Sequence, residues 1–518
     1  MIMAGSTVKA RISAITIRIF NGMRGFMLFI GVDLGTTAVK LLLMDEEGSV
    51  KRIVSREYPL YMNEDGWSDQ EPDDWWAAAA DGIKELVGVC NPEEIQSISF
   101  SGQMHGLVLL DEYDKVIRRA ILWNDQRTSA ECDFLNNETG RDKLIDHTAN
   151  VALTGFTAPK ILWVKRHEPE NFKRIAKIML PKDYIAYKLS GIFATDYSDA
   201  SGMLLLDVKN KKWDGFMLGL LGIDEGKLAK LYQSYEAVGT IRESASRTTG
   251  LPRSVKVVIG GGDQAVGAVG SGTVVNNMCS VSLGTSGVVF VASDTFKADY
   301  EKSALHSFCH ATGKYHMMGV TLAAAGSNKW WVEDVLNETD YAKEQTGIGE
   351  LGLNRVFFLP YLNGERTPIN DPYARGAFVG MSMTSKRSDM MQAVLEGVTF
   401  SLRDILEIVR KLGVNVNTAR IIGGGAKSPL WRQMTSDILN VRVETINSAE
   451  GPALGAAILA ATGAGAFKSV EEACQSLITV TNVYTPNKET VERYNARYRI
   501  FTKLYDDLKD TFSLISRL

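Results

Sequence analysis

Short apolar runs alternate with longer amphipathic stretches from Met27 onward. Phe29–Val32 and Val39–Met44 are strand-like runs joined by a turn at Leu34-Gly35-Thr36-Thr37. Between Pro72 and Val89, Trp75, Ala79, Ile83 and Leu86 recur at spacings of four, four and three, which predicts a helix with one apolar face. Ile95–Phe100 and Val255–Ile259 predict two more strands, the second followed by a small-residue helix over Ala265–Gly272. Arg420–Ile422 ends a further strand ahead of a helix through Trp431 and Met434. Strands and helices mixed at these lengths predict an α/β protein.

The pattern also repeats. Asp33-Leu34-Gly35-Thr36-Thr37-Ala38-Val39 is echoed by Ser282-Leu283-Gly284-Thr285-Ser286-Gly287-Val288, and Ile259-Gly260-Gly261-Gly262-Asp263 by Ile422-Gly423-Gly424-Gly425-Ala426. Glycine turns recur by chance in a chain with 47 glycines, but two pairs in the same order favour duplication. The expected boundary lies near 270–280, giving lobes at 27–275 and 276–518 with a ligand cleft between them. Residues 1–26 carry Lys9, Arg11, Arg18 and Arg24 and no acid, a composition shared with transit peptides. The preferred reading is an upstream extension of the reading frame, because the strand-like run starts directly after Met27. Disorder is expected there on either reading.

Composition narrows the class. A chain of 518 residues exceeds what one core supports. A hydrophobic fraction of 45% and a charged fraction of 23% are those of an ordinary globular protein. The net charge of −4 comes with no basic block, so nothing marks a nucleic-acid binder. No run approaches the length of a membrane span. The five cysteines are scattered and never form a CxxC pair, which predicts buried reduced thiols in a cytoplasmic protein rather than disulfides or a zinc site. HExxH, GxSxG and GxxxxGK[ST] segments are all missing, which disfavours zinc hydrolases, serine hydrolases and P-loop enzymes.

The remaining motifs suit phosphate and sugar. An LGTT turn offers backbone N–H groups and the hydroxyls of Thr36 and Thr37 to an oxyanion. Asp33 could face the same anion through a hydrated Mg²⁺, and the second copy around Thr285 would grip a triphosphate from the other lobe. A tight hairpin needs its glycine for geometry alone, so one copy is a weak signal. Asp263 follows three glycines and could accept a proton from an attacking hydroxyl. By position alone it reads better as a helix cap. Gln103, Met104 and His105 combine an amide, an adaptable apolar wall and an imidazole, and Trp123 to Arg127 add an aromatic platform with polar groups. A lone histidine in a loop is more often structural, and the Trp123 segment could equally be a surface turn. The Gly423–Ser428 turn fits a nucleoside against backbone; its spacing is GxGxxS rather than the GxGxxG of a dinucleotide fingerprint.

Together these segments resemble the FGGY carbohydrate kinases, part of the larger group that shares its fold with actin and the large heat-shock chaperones. The resemblance runs from Met27 to about Lys488. Phe156–Trp163, Gly376–Gly380 and Ala393–Glu396 are similar to the family's signature segments. The 101–106, 122–127 and 359–368 stretches point to its xylulose-phosphorylating branch; glycerol kinases carry Arg-Glu where this chain has Met104-His105. The resemblance implies a two-lobed actin-like (ribonuclease H-like) fold, with sugar in the N-terminal lobe and MgATP against the C-terminal lobe. It implies Asp263 as general base for the C5 hydroxyl and Asp33 as organiser of Mg²⁺ and the γ-phosphate. Gln103, Met104, His105, Asp263 and Gln264 would form the sugar site. Thr36, Thr37, Lys40 and Thr285 would contact phosphates, and Gly424 and Gly425 would abut adenosine. No nucleotide contact is carried over to Ala325 and Lys329, where glycerol kinases place glycine and glutamine. A homodimer is what the family suggests. Rival readings are a relative acting on ribulose or gluconate, and an actin-like chaperone or filament protein. A chaperone would need a peptide-binding domain, whereas about 30 mostly helical residues follow Lys488.

Overall fold

A computed structural model describes residues 26–301, 304–448 and 450–517. The expected disorder of 1–26 lies, but for Phe26, outside them. The predicted strands form where apolar residues of both sheet faces find cover. Leu28–Leu34 is buried along nearly its whole length and pairs antiparallel with Ala38–Asp45, which pairs in turn with Val50–Glu57. On its other side Leu28–Leu34 runs parallel to Ile95–Gly102, next to Lys256–Val258 and then the antiparallel edge strand Ala237–Thr240. The second half repeats this order. Met278–Leu283 is antiparallel to Gly287–Ser293, which is followed by Tyr315–Thr321 and His306–Cys309. Its other neighbours are parallel Thr418–Ile422, parallel Arg442–Ile446 and antiparallel Val480–Tyr484.

Two lobes with one strand order support duplication, and the two LGT turns close equivalent hairpins. The triple-glycine echo is not equivalent. Gly260–Gly262 follows Lys256–Val258, which is separated from the first strand of its sheet by Ile95–Gly102, whereas Gly423–Gly425 follows Thr418–Ile422, which lies directly beside the first strand of the second sheet. Two unrelated turns adopted glycine because each passes close to backbone. At Gly260 the φ is +72° and a Cβ would meet the Phe100 carbonyl at 1.9 Å.

After Lys256–Val258 and after Arg442–Ile446 the lobes each send a helix to the centre, Asp263–Ser271 from the first and Gly451–Ala464 from the second. They cross at glycines, where a Cβ on Gly270 would meet the Gly451 carbonyl at 1.8 Å and one on Gly455 the Val266 carbonyl at 1.9 Å. Gly451–Ala464 lies on the first sheet, its Ala460 carbonyl accepting from Ser97 Oγ at 2.7 Å. It forms one core with Phe29, Leu42, Val266 and Val269. The predicted helix after Pro72 spans Pro72–Val87 and buries Trp75, Ala79, Ile83 and Leu86 against the first sheet's other face. The last helix, Lys488–Ile515, packs Tyr494 and Phe501 into the second lobe. Among the described residues no helix is long and apolar enough to cross a membrane.

Candidate active site

Two cavities hold most of the residues singled out above, one within the second lobe and one between the lobes. The larger, about 670 Å³, includes Leu283, Gly284 and Thr285 of the second LGT turn and Gly424 and Gly425 of the glycine turn. Ala325 and Lys329, left out of the nucleotide expectation, also stand on its wall, with Asn328, Tyr341 and Gln345. Ser428 caps the helix Pro429–Leu439 by accepting from Trp431 N at 3.1 Å, and it donates to Gln345 at 2.5 Å. The smaller cavity, about 180 Å³, brings together Met104, His105, Trp123, Asp263 and Gln264 of the first half. Val288, His306, Met318, Val320 and Arg366 of the second half complete it, so it draws on both lobes. Thr285 lines the larger cavity and Ser286, the next residue, the smaller. The two spaces therefore adjoin at one turn.

Asp263 is not the helix cap. Gly262 holds that position without a side-chain bond, and Asp263 is the first residue of the helix Asp263–Ser271. A helix N-terminus favours a carboxylate, yet here burial and the nearby charge of Asp33 outweigh it and raise Asp263 to about 7. Burial likewise lifts Asp33 to about 6 against the opposing effects of Ser101 and Lys40. Both carboxyls are thus poised near neutrality.

A buried ionic knot holds the turn before Asp263. Lys182 Nζ lies 2.5 Å from Asp183 and 3.0 Å from Asp196. Asp196 accepts from Ser198 Oγ at 2.5 Å and Ser234 Oγ at 2.6 Å. Ser198 Oγ in turn accepts from Gly262 N at 3.2 Å, and the Ser234 carbonyl from Gly260 N at 3.0 Å.

His105 has a left-handed φ of 71°. Its carbonyl accepts from Lys160 Nζ and Thr157 Oγ1, both at 3.0 Å, which clamps the strained residue. Burial lowers Lys160 to about 7 and His105 to about 3. The neutral ring's Nδ1–H donates to the Gly202 carbonyl at 2.7 Å, leaving Nε2 as an acceptor. Gln103 does not line the cavity. Its amide donates to Gln70 at 3.0 Å, and Gln70 donates to the Thr36 carbonyl at 2.6 Å. Gln103 therefore supports the LGTT turn through Gln70.

Thr36 Oγ1 accepts from Trp123 Nε1 at 3.0 Å, which ties the first LGT turn to the wall of the smaller cavity. Thr37 is exposed at the tip of that turn. Lys40 lines neither cavity and stands 3.4 Å from Glu450, at the head of the helix Gly451–Ala464. Sequence reasoning missed His306 as a cavity residue. It sits mid-chain on a strand with no motif around it, and only strand pairing brings it here. Among the described residues no group of three metal-ligating side chains occurs.

The first-half family model of FGGY carbohydrate kinases matches residues 28–270 and the second-half model residues 279–464. The chain belongs to the FGGY family of carbohydrate kinases. It is 40% identical over 486 residues to the xylulose kinase of Bacillus subtilis, covering 93% of this chain and 97% of that one. The ligand-bound xylulose kinase structure from Lactobacillus acidophilus superposes with a TM-score of 0.89 at 27% identity, covering 95% of this chain and 99% of that one. The gluconate kinase structure from the same species also gives 0.89, at 26%, covering 95% and 100%. As in other FGGY kinases, the fold is the actin-like ATPase fold, and the chain is a carbohydrate kinase with ATP as phosphoryl donor. The chaperone and filament alternatives are not favoured.

Proposed function

We propose that the chain transfers the γ-phosphoryl group of ATP to the C5 hydroxyl of D-xylulose, giving D-xylulose 5-phosphate. The observation that carries the reading is the adjacency of Thr285 and Ser286 on the two cavities, with Asp263 on the smaller one. A nucleotide in the larger space would present its terminal phosphate at that turn, toward a sugar in the smaller. The choice of sugar rests on sequence identity, since fold similarity to a gluconate kinase is equally high.

In this mechanism Asp263 accepts the proton of O5 as the O5–phosphorus bond forms and the bond from phosphorus to the ADP oxygen breaks. A carboxyl raised to about 7 suits proton acceptance near neutral pH. Met104, His105 and Gln264 hold the sugar, and Gln103 acts through Gln70 on the Thr36 turn. The 27–275 lobe supplies most of the sugar side and the 276–518 lobe the nucleotide side. Gly424 and Gly425 abut adenosine, and Thr285, Thr36 and Thr37 meet the phosphates. Lys40 would reach the phosphates by exchanging Glu450 for them. Asp33 fits a Mg²⁺ kept mostly in water and phosphate oxygens, since such ions need only one or two carboxylates and Asp33 stands recessed beside a second acid. When bound, Mg²⁺ neutralises phosphate charge.

ATP-dependent phosphorylation of a panel of pentuloses and aldonates, followed by coupled ADP release, tests the reading. D-xylulose should give the highest kcat/KM. Better turnover of ribulose or gluconate would reject the sugar assignment.

A further inference from the structure

Among the described residues Arg366 is the one permanent cation on the smaller cavity, and Asp263 is its one carboxylate. No ion pair joins them. The backbone on either side of Arg366 is clamped to the second sheet. Glu365 accepts from Thr321 Oγ1 at 2.6 Å, Leu322 N at 3.1 Å and Arg366 N at 2.7 Å. Thr367 N donates to the Val320 carbonyl at 3.0 Å, and Thr367 Oγ1 to that of Ala304 at 3.0 Å. The guanidinium itself is different: among the described residues no carboxylate within ion-pair distance, carbonyl or aromatic ring holds it. The cavity's two histidines, His105 and His306, are held neutral by burial and by its charge, so neither competes with it as a cation. The charge of Arg366 is attracted only by the adjacent Glu365, whose carboxylate oxygens are taken up by those three hydrogen bonds, so a ligand oxygen entering the cavity would satisfy the guanidinium donors.

A guanidinium donates and never accepts, so its partner must be an acceptor. The chemistry of the proposed substrate supplies one. A pentulose closes its ring by joining O5 to C2, so a sugar phosphorylated on O5 must enter in the acyclic form. In that form O2 is a free carbonyl, an acceptor without a proton. We propose that Arg366 donates to the C2 carbonyl oxygen of the acyclic ketopentose and thereby selects the open-chain ketose. This deepens the reading of the site given above and rests on it. The cavity would then divide its charges by function, with a carboxylate for the reacting hydroxyl and a guanidinium for the carbonyl.

The test compares wild type with Arg366→Met on two ligands, D-xylulose and the matching 2-deoxypentitol, which lacks O2. Dissociation constants come from calorimetry and kcat/KM from coupled ADP release. The substitution should weaken D-xylulose about 10- to 100-fold, the usual weight of a hydrogen bond to a charged group, and the 2-deoxypentitol less than about threefold. Arg366→Lys should retain part of the difference. Equal losses on both ligands, or none on D-xylulose, would overturn the role of Arg366 while leaving pentulose turnover by wild type intact. Failure of wild type to phosphorylate any pentulose would instead remove the reading on which it rests. Should Arg366→Met not fold, Arg366→Gln is read by the same ratio.

Discussion

The two LGT turns close hairpins of the same topology and carry opposite chemistry. In the first lobe the last pairs are Asp33 with Lys40 and Leu34 with Val39. In the second they are Ser282 with Val288 and Leu283 with Gly287. The first turn thus ends in an acid and a base, and the second is neutral and lines the larger cavity. The central helices differ in the same way. Asp263 heads one and opens onto the smaller cavity, while Glu450 precedes the other and pairs with Lys40. Duplication supplied two equivalent frames, and single residues at equivalent points divide the work. On the proposed mechanism one frame would handle the cation and the proton, the other the bare anion.

The largest expected break in that division is at the helix heads. Asp263→Ala should cut kcat by about 10²- to 10⁴-fold, as loss of a general base does, with sugar affinity partly kept. Glu450→Gln, at the corresponding point of the other lobe, should cost less than about tenfold in the same steady-state assay. Comparable losses for both would abolish the distinction.

At the turns, Asp33→Asn should lower kcat by roughly 10²- to 10³-fold, the scale on which one electrostatic group at a transition state acts. The loss should be accompanied by a raised Mg²⁺ requirement in a metal titration. A variant whose Mg²⁺ dependence is unchanged would remove Asp33 from that role. The reciprocal change, Ser282→Asp, gives the neutral turn the acid of its counterpart. Repulsion between like charges near the triphosphate should raise the KM for ATP about tenfold with little effect on the sugar.

The smallest effect concerns pH. With Asp263 at about 7 in the folded chain against an ordinary value of 3.8, the folded state holds the extra proton between those limits. Stability contributed by that protonation is lost as pH rises through the window. Asp263→Asn should therefore raise Tm by a few degrees at pH 8 and change it little at pH 4, read by calorimetry. In wild type, kcat/KM should fall about tenfold per unit below about pH 7, where the base is protonated.

Much of the frame was legible in the sequence because strand hydrophobicity and helix periodicity are local signals. The strands at 28–34, 38–45 and 95–102 and the Pro72 helix lie where the pattern predicts them. The LGT echo also reports a true equivalence, since a hairpin turn is built by adjacent residues. The triple-glycine echo misleads for a physical reason. Glycine marks close approach to backbone, and the Phe100 strand and Leu283 supply that backbone for quite different turns. Gln103 shows a pairing the sequence does not signal: its Nε2 donates to Gln70, a partner 33 residues away.

By itself, then, the sequence determined the class of fold, the paired LGT turns, the acid at Asp33 beside the first of them and the acid at Asp263 after the glycine turn. Only the tertiary structure decided which of those groups meet. It paired Lys40 with Glu450, drew His306 and Arg366 from the second lobe into the smaller cavity, and lifted Asp263 toward neutrality. Burial and charge act through space, and the helix crossing at Gly270 and Gly455 that brings the two lobes together has no local signature.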